Sequence, residues 1–326
     1  MSGGYYGLEP RNVSELELVI VGAGAAGLSA AIYAALMDIN FVLLDAETGG
    51  GLMNLAKTVE NMPGITGKRG PAITRSLIEQ LERHGGRVNT LEPAQSFELA
   101  GGGFRIETNR DHYRPNCLII ATGLELLGLK EEYGVEGERE WLGKGVSYCA
   151  ECDAPLFRDK RVLVLGNPFD AFLLRRLTPQ VSYLGPVPEE YRSQVPPEII
   201  EANEIEYLEG RLEALEGDAV LRAAIVDGKR ISCDGLFVSK RKAGSEVYEN
   251  AGLELTRDGF IRTTRAMETN IEGVFAAGDI TGEPWQISKS IGEGATACLS
   301  AFKFLTGQQM RNLGWALQDE WEQAGI

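Results

Sequence analysis

The sequence predicts an α/β chain with two parallel-sheet units, and three stretches carry that expectation. Residues 16–21 form a mainly apolar run that ends in Gly22-Ala23-Gly24-Ala25-Ala26-Gly27. Residues 161–165 form a second apolar run, followed by a degraded glycine turn, Gly166-Asn167-Pro168-Phe169-Asp170-Ala171, with the next helix expected over Ala171 to Leu177. Between them lies Cys149-Ala150-Glu151-Cys152-Asp153, a cysteine pair directly before the second unit. At 326 residues the chain exceeds the usual size of a single core, and most of its 40 glycines fall in turns between apolar runs.

Composition narrows the partners. A formal charge of −15 argues against nucleic acid and anionic membrane, both of which attract basic surfaces. Residues 1–12 are polar and glycine-rich, without the apolar core of a signal peptide. The longest mainly apolar stretch, residues 23–37, is too short and too glycine-interrupted to span a bilayer. Five scattered cysteines do not make a secreted disulfide framework, so a cytoplasmic protein with one redox pair is expected.

The first unit reads as strand, glycine turn, helix (residues 28–37), strand (residues 41–44) and acid, with Asp45 and Glu47 closing the second strand. Gly22 permits the tight turn, Gly24 lets a pyrophosphate approach the backbone, and Gly27 lets helix pack on strand. The helix N-terminus, at Ala25 and Ala26, then favours phosphate charge, and Glu47, twenty positions after Gly27, can accept a ribose hydroxyl. This pattern serves FAD and NAD equally. Ile119-Ile120-Ala121-Thr122-Gly123 and Gly273-Val274-Phe275-Ala276-Ala277-Gly278-Asp279 resemble the two further markers of two-dinucleotide flavoproteins. That resemblance implies FAD in the first site, with Asp279 on the ribitol.

Four more stretches extend the likeness. Gly49-Gly50-Gly51-Leu52 resembles the GGQL loop of the low-molecular-weight thioredoxin reductase family, with Gly51 in place of glutamine. Val59-Glu60-Asn61-Met62-Pro63-Gly64 resembles its VEN-aromatic-PG turn, Cys149 to Asp153 its CATCD motif, and Trp285-Gln286-Ile287 its RQA segment. The resemblance implies two Rossmann-like (three-layer ββα) dinucleotide-binding domains, the second inserted in the first. FAD-binding parts are expected at 1–123 and 247–308, the inserted domain at 124–246 and a C-terminal tail at 309–326. It also implies a homodimer. The residues expected around FAD are Gly22, Gly24, Ala25, Ala26, Gly27, Asp45, Glu47, Gly50, Gly51, Leu52, Asn61, Ala121, Thr122, Gly123, Gly278, Asp279, Gln286 and Ile287.

A cysteine pair at this spacing can also ligate zinc, but zinc wants four ligands and the sequence offers no second pair. Asp153, next to the pair, is a carboxylate suited to moving a proton in thiol–disulfide exchange, the role the resemblance also implies. In that family pattern Cys152 takes electrons from the flavin, Cys149 attacks the substrate disulfide, and thioredoxin is the substrate. Cys117, Cys233 and Cys298 read as small core residues.

The second nucleotide site looks broken. Pro168 lacks an N–H and fills the space of the pyrophosphate-facing glycine, Phe169 adds bulk, and Asp170 puts negative charge where phosphate needs positive potential. After the strand at 181–184 comes Gly185-Pro186-Val187-Pro188-Glu189-Glu190, acidic where the 2′-phosphate of NADP calls for basic residues. Residues 238–245, VSKRKAGS, stand where the family has IGxxPN. NADPH is therefore expected to be lost, which resembles the ferredoxin-dependent and deeply rooted branches of the family. Ferredoxin, generally acidic, would need local basic patches, and Arg175-Arg176 and Lys240-Arg241-Lys242 are the candidates. The alternatives are a second FAD in the old NADPH site, a drifted but working NADPH site, a small-molecule dithiol oxidase, and a non-enzymatic redox sensor. In the tail, Met310, Leu313, Leu317 and Trp321 share one helical face, and Trp315 or Trp321 is expected to cover a flavin face across the dimer.

Overall fold

The computed structural model describes residues 16–100, 103–126, 128–136, 138–238, 241–244 and 246–312. The N-terminal residues 1–12, Ser239, Lys240 and the tail tryptophans Trp315 and Trp321 lie outside the described residues.

In chain order the first unit supplies β1 (Leu18–Val21), α1 (Ala25–Leu36), β2 (Phe41–Leu44), α2 (Gly70–Arg83), β3 (Val88–Asn89), β4 (Ala94–Ala100), β5 (Gly103–Thr108), β6 (His112–Tyr113) and β7 (Cys117–Ile120). The second supplies β8 (Glu125–Leu126), α3 (Leu129–Tyr133), α4 (Glu138–Trp141), β9 (Val146–Ser147), α5 (Ala150–Asp153), β10 (Val162–Leu165), α6 (Pro168–Arg175), β11 (Val181–Leu184), α7 (Glu189–Arg192), α8 (Pro197–Ala202), β12 (Glu206–Leu208), β13 (Leu212–Gly217), β14 (Leu221–Val226), β15 (Lys229–Ser232), β16 (Gly235–Val238) and β17 (Arg241–Lys242). The chain then returns to the first unit with α9 (Glu246–Asn250), β18 (Val274–Ala276) and α10 (Ile287–Asn312). The first unit comprises Met1–Asn54, Lys68–Leu124 and Ala243–Ile326, the second Leu55–Gly67 and Glu125–Lys242. Segment Leu55–Gly67, expected with the first domain, groups with the second because its side chains bond there, Lys57 Nζ to the Gly143 carbonyl and Asn61 to Cys152.

Each unit is organised by a parallel five-stranded sheet, β18-β7-β1-β2-β3 in the first and β12-β11-β10-β16-β9 in the second. Strand alternation explains how the first sheet is covered on both faces. Leu18 and Ile20 of β1 pack under α1 and α10, while Val19 and Val21 join Phe97, Phe104 and Ile106 of the antiparallel sheet β4-β5-β6. Leu163 and Leu165 of β10 likewise face Leu212, Leu221 and Ala224 of β13-β14-β15, and Val162 and Val164 face Ala171 and Leu174 of α6. Both units are thus helix layer, parallel sheet and antiparallel sheet.

Close backbone approach fixes α1 in place. A Cβ on Gly27 would lie 1.7 Å from the Gly22 carbonyl oxygen, and one on Gly294 of α10 would lie 2.0 Å from the Ala26 carbonyl oxygen. These neighbours are backbone and have no rotamer with which to yield. Gly294→Ala gains up to about 1 kcal/mol in helix propensity but meets overpacking of about 1–3 kcal/mol. The expected outcome is a lower urea midpoint, whereas Gly292→Ala in the same helix, with nothing within 4 Å of the added carbon, should leave the midpoint unchanged or raised.

Candidate functional site

The first unit carries a glycine cradle at the C-terminal ends of its parallel strands, where an open α/β sheet binds ligands. Gly22 follows β1 at φ +99° with its N–H on the Leu44 carbonyl, 2.8 Å away, and a Cβ there would lie 2.4 Å from the Ala121 carbonyl oxygen. Gly24 is the N-cap of α1; no side chain caps this helix, and a Cβ on Gly24 would meet nothing within 4 Å. Gly49, Gly50 and Gly51 stand in succession at φ +84°, +93° and +50°, a run that only glycine adopts without strain. The Gly50 N–H reaches the Ala23 carbonyl at 2.7 Å, and a Cβ on Gly51 would lie 3.7 Å from the Gly24 Cα. The two glycine loops therefore form one bare surface ending at the α1 N-terminus.

Asp45 holds that surface together. Its carboxylate accepts the amides of Ala23 at 2.7 Å, Glu47 at 2.9 Å and Gly49 at 3.1 Å. Glu47 is exposed beside it, and Leu52 packs into the core. On the other side Ala121 is tied to the Val21 carbonyl at 2.8 Å, Thr122 bonds the Tyr248 hydroxyl, and Gly123, at φ +68°, also faces open space. Gly278 approaches so closely that a Cβ would sit 2.8 Å from the Ala26 Cβ. Asp279 accepts Ser290 Oγ at 3.0 Å, and Gln286 and Ile287 stand at the start of α10. The residues fit FAD on these grounds: bare backbone at Gly24 and Gly123, an uncapped helix N-terminus, and Asp279 and Gln286 on the same unit.

Sequence reasoning missed a network under this cradle. Lys289 Nζ lies 3.2 Å from Glu293 and donates to the carbonyls of Gly278 and Gly282 at 2.9 and 2.7 Å. Glu293 in turn accepts the Gly278 amide at 2.8 Å and Thr281 Oγ1 at 2.9 Å. Together they pin the Gly278-Asp279 turn to α10.

Asn61, expected among the flavin residues, belongs to the second unit, where its Nδ2 points at Cys152 Sγ, 3.8 Å away. Cys149 and Cys152 form a disulfide, with Cys149 as the N-cap of α5 and Cys152 inside that single turn. The Cys149 sulfur lies 3.7 Å from Glu151 Oε2. Asp153 accepts the Ser147 hydroxyl at 2.7 Å, and Ser147 Oγ also accepts the Cys149 amide at 3.2 Å. Ser147, buried at the end of β9, thus ties the Asp153 carboxylate to the backbone of Cys149; its adjacency to the CxxC stretch was the available signal. Burial raises the Asp153 carboxyl above its ordinary range, opposed by the Ser147 hydrogen bond and the charge of Lys57. The remaining thiols are buried: burial pushes Cys233 and Cys298 up to about 12, and pushes Cys117 up as well.

The second glycine turn has a different occupant. Gly166 keeps φ +91°, and the buried Tyr183 hydroxyl donates to its carbonyl at 2.6 Å. The helix then starts at Pro168, three residues before the expected start at Ala171, because Asn167 caps it: Asn167 Oδ1 accepts the Phe169 amide at 3.0 Å. Pro168 at the first helical position has no N–H to offer. Phe169 stands half-exposed in front, edge-on to Tyr191 with centroids 6.0 Å apart. Beyond β11, Arg192 is paired to Glu189 at 2.7 Å. Of the basic residues read as a docking patch, Arg175 is engaged by Glu204 and Arg176 is exposed. Arg241 and Lys242 pair with β8 as β17.

A family model described as pyridine nucleotide-disulphide oxidoreductase matches residues 16–294. A thioredoxin reductase of Vibrio cholerae is 30% identical, covering 91% of this chain and 99% of its own. Among solved structures, thioredoxin reductase from T. acidophilum has a TM-score of 0.60 at 31% identity, covering 89% of this chain and 98% of that one. A ferredoxin-flavin thioredoxin reductase from Clostridium acetobutylicum has a TM-score of 0.52 at 28% identity, covering 91% and 99%.

The raised carboxyl gives a pH signature. Because Asp153 holds its proton more tightly folded than unfolded, its charge costs stability as pH rises from the ordinary aspartate range, about 4, through its raised value. Asp153→Asn removes that cost, so the melting temperature of the variant minus that of the native chain should grow between about pH 4 and pH 7. The same variant should reduce a model disulfide such as dithiobis(nitrobenzoate) about 10²-fold more slowly. A flat melting difference with an undiminished rate would remove Asp153 from the chemistry.

Proposed function

The chain belongs to the pyridine nucleotide-disulphide oxidoreductase family, and from that premise we propose an FAD-dependent enzyme that reduces a thioredoxin-like protein disulfide with electrons from ferredoxin rather than NADPH. Its thioredoxin reductase-like character is common ground with its relatives, and the Cys149–Cys152 pair, once reduced from its disulfide, passes the electrons outward. When bound, FAD supplies the two-electron reduction of that disulfide. The chain's part is to hold the cofactor on the bare glycine surface and to move protons at Asp153.

One contrast carries the choice of donor. The helix α1 starts on Gly24 without a side-chain cap; α6 starts on Pro168 with its Phe169 amide already bonded to Asn167. A pyrophosphate needs free amides at a helix N-terminus, and α6 has given one to its own cap and lacks another at proline. The same occupation weighs against a second FAD there. A ferredoxin-flavin thioredoxin reductase among the similar structures agrees with this reading. Energetically, a plant-type ferredoxin near about −400 mV and a thioredoxin near about −270 mV differ by roughly 130 mV, about 6 kcal/mol for two electrons. With Arg175 paired to Glu204, Arg176 is the better basic contact for an acidic donor. We also read the chain as cytoplasmic and homodimeric, as its resemblance implies.

The test is an anaerobic titration of the yellow protein, followed at the flavin absorbance, with NADPH, NADH and reduced ferredoxin. Ferredoxin should bleach it while both nucleotides at micromolar levels leave it oxidised; bleaching by NADPH would overturn the assignment. Flavin released per chain should be about one, and two would favour the diflavin alternative.

A further inference from the structure

We propose that Glu151 and Asn61 polarise the reduced cysteine pair, so that the proton of the dithiol resides on Cys149 and the negative charge on Cys152. The proposal rests on the redox role of the pair, not on which donor reduces it.

The two sulfurs have opposite neighbours. Glu151 Oε2 lies 3.7 Å from Cys149 Sγ, and a carboxylate at that distance disfavours a thiolate by Coulomb repulsion. Asn61 Nδ2 lies 3.8 Å from Cys152 Sγ, where an amide N–H favours the charged form. Both side chains are exposed, so solvent weakens each effect without reversing its sign. The other charged groups near the pair have partners of their own. Asp153 bonds Ser147, Lys57 acts on Asp153, and Asp170 of the neighbouring α6 acts on Tyr183. Glu151 occupies the position that is threonine in the CATCD pattern.

The exchange step remains balanced under this assignment. Cys149 loses its proton to the Asp153 carboxylate and its thiolate attacks one sulfur of the substrate disulfide, forming a mixed disulfide and expelling one substrate thiolate. That thiolate takes the proton back. Cys152, already a thiolate, attacks Cys149 Sγ, reforming the Cys149–Cys152 bond and expelling the second substrate thiolate, which is protonated from water. Two electrons leave the pair and reduce one disulfide to a dithiol. Charge on Cys149 is thus withheld until exchange begins, and a substrate with a basic residue beside its disulfide relieves the repulsion from Glu151 most. Glu151 is accordingly assigned to charge placement on the pair, with proton transfer left to Asp153.

The experiment uses the full-length flavoprotein, reduced with dithiothreitol under anaerobic conditions, desalted and pulsed with iodoacetamide across pH 5–10. Mass spectrometry of the peptides then counts label at each cysteine. In the native chain Cys152 should be labelled at lower pH than Cys149. Glu151→Gln should move the Cys149 midpoint down by about half to one pH unit, with several-fold more label at neutral pH and little change at Cys152. Asn61→Ala should move the Cys152 midpoint up and leave Cys149 in place. If both variants keep the native profiles, or if Cys149 is labelled first in the native chain, the assignment is wrong. Glu151→Asp, which retains the charge, should behave as native; a Gln-like profile in that variant would attribute the effect to shape and overturn the electrostatic assignment. Both positions are exposed, and melting temperature and flavin absorbance give the check that the variants fold.

Discussion

Backbone touching backbone is the constraint on which the first unit depends. Helix α1 can reach its sheet only because Gly27 has no side chain to meet the Gly22 carbonyl, and α10 can reach α1 only because Gly294 has none to meet Ala26. These approaches set the helix axis over β1 and bring its N-terminus against the ends of β1, β7 and β18. Gly22, Gly278 and Gly49 to Gly51 then take the left-handed backbone that the surrounding turns require. Asp45 adds three amide hydrogen bonds that join the two glycine loops. Packing imposes part of this surface, since a Cβ at Gly22 or Gly278 would collide with the fold, whereas one at Gly24 or Gly123 would meet nothing within 4 Å.

The second unit retains the framework and closes the opening. The sheet order, the covering layers and the positive φ of Gly166 parallel the first unit. Yet Tyr183 bonds Gly166 from below, Asn167 occupies the helix amide and Phe169 stands in front. These contacts hold the second glycine turn from within its own unit: a side-chain cap satisfies one amide at the start of α6, and an aromatic pair packs beside it.

Around the cysteines, functional groups are assigned by short-range geometry. Ser147 links the Asp153 carboxylate to the Cys149 amide, so the two residues share one anchor at the end of β9. Lys57 and Asn61 arrive from a segment 86 and 91 positions earlier in the chain. Their grouping with the second unit means that the pair's environment draws on sequence from both sides of the first boundary.

The sequence by itself determined the strand–glycine–helix–strand order, the cysteine pair and the defects at Pro168, Phe169 and Glu189. Those features are encoded by residues within a few positions of one another and by what a backbone without a Cβ, or without an N–H, can do. The start of α6 at Pro168 was also locally encoded, since Asn-Pro is a cap followed by a first helical residue, although the apolar spacing alone pointed to Ala171. Tertiary contacts alone show that Asn61 points at Cys152, that Asp45 braces backbone amides, that Arg175 is engaged by Glu204, and that Lys289 and Glu293 hold the Gly278 turn. These are contacts between side chains brought together by chain closure, and their partners are set by distance in space, which no local spacing rule records.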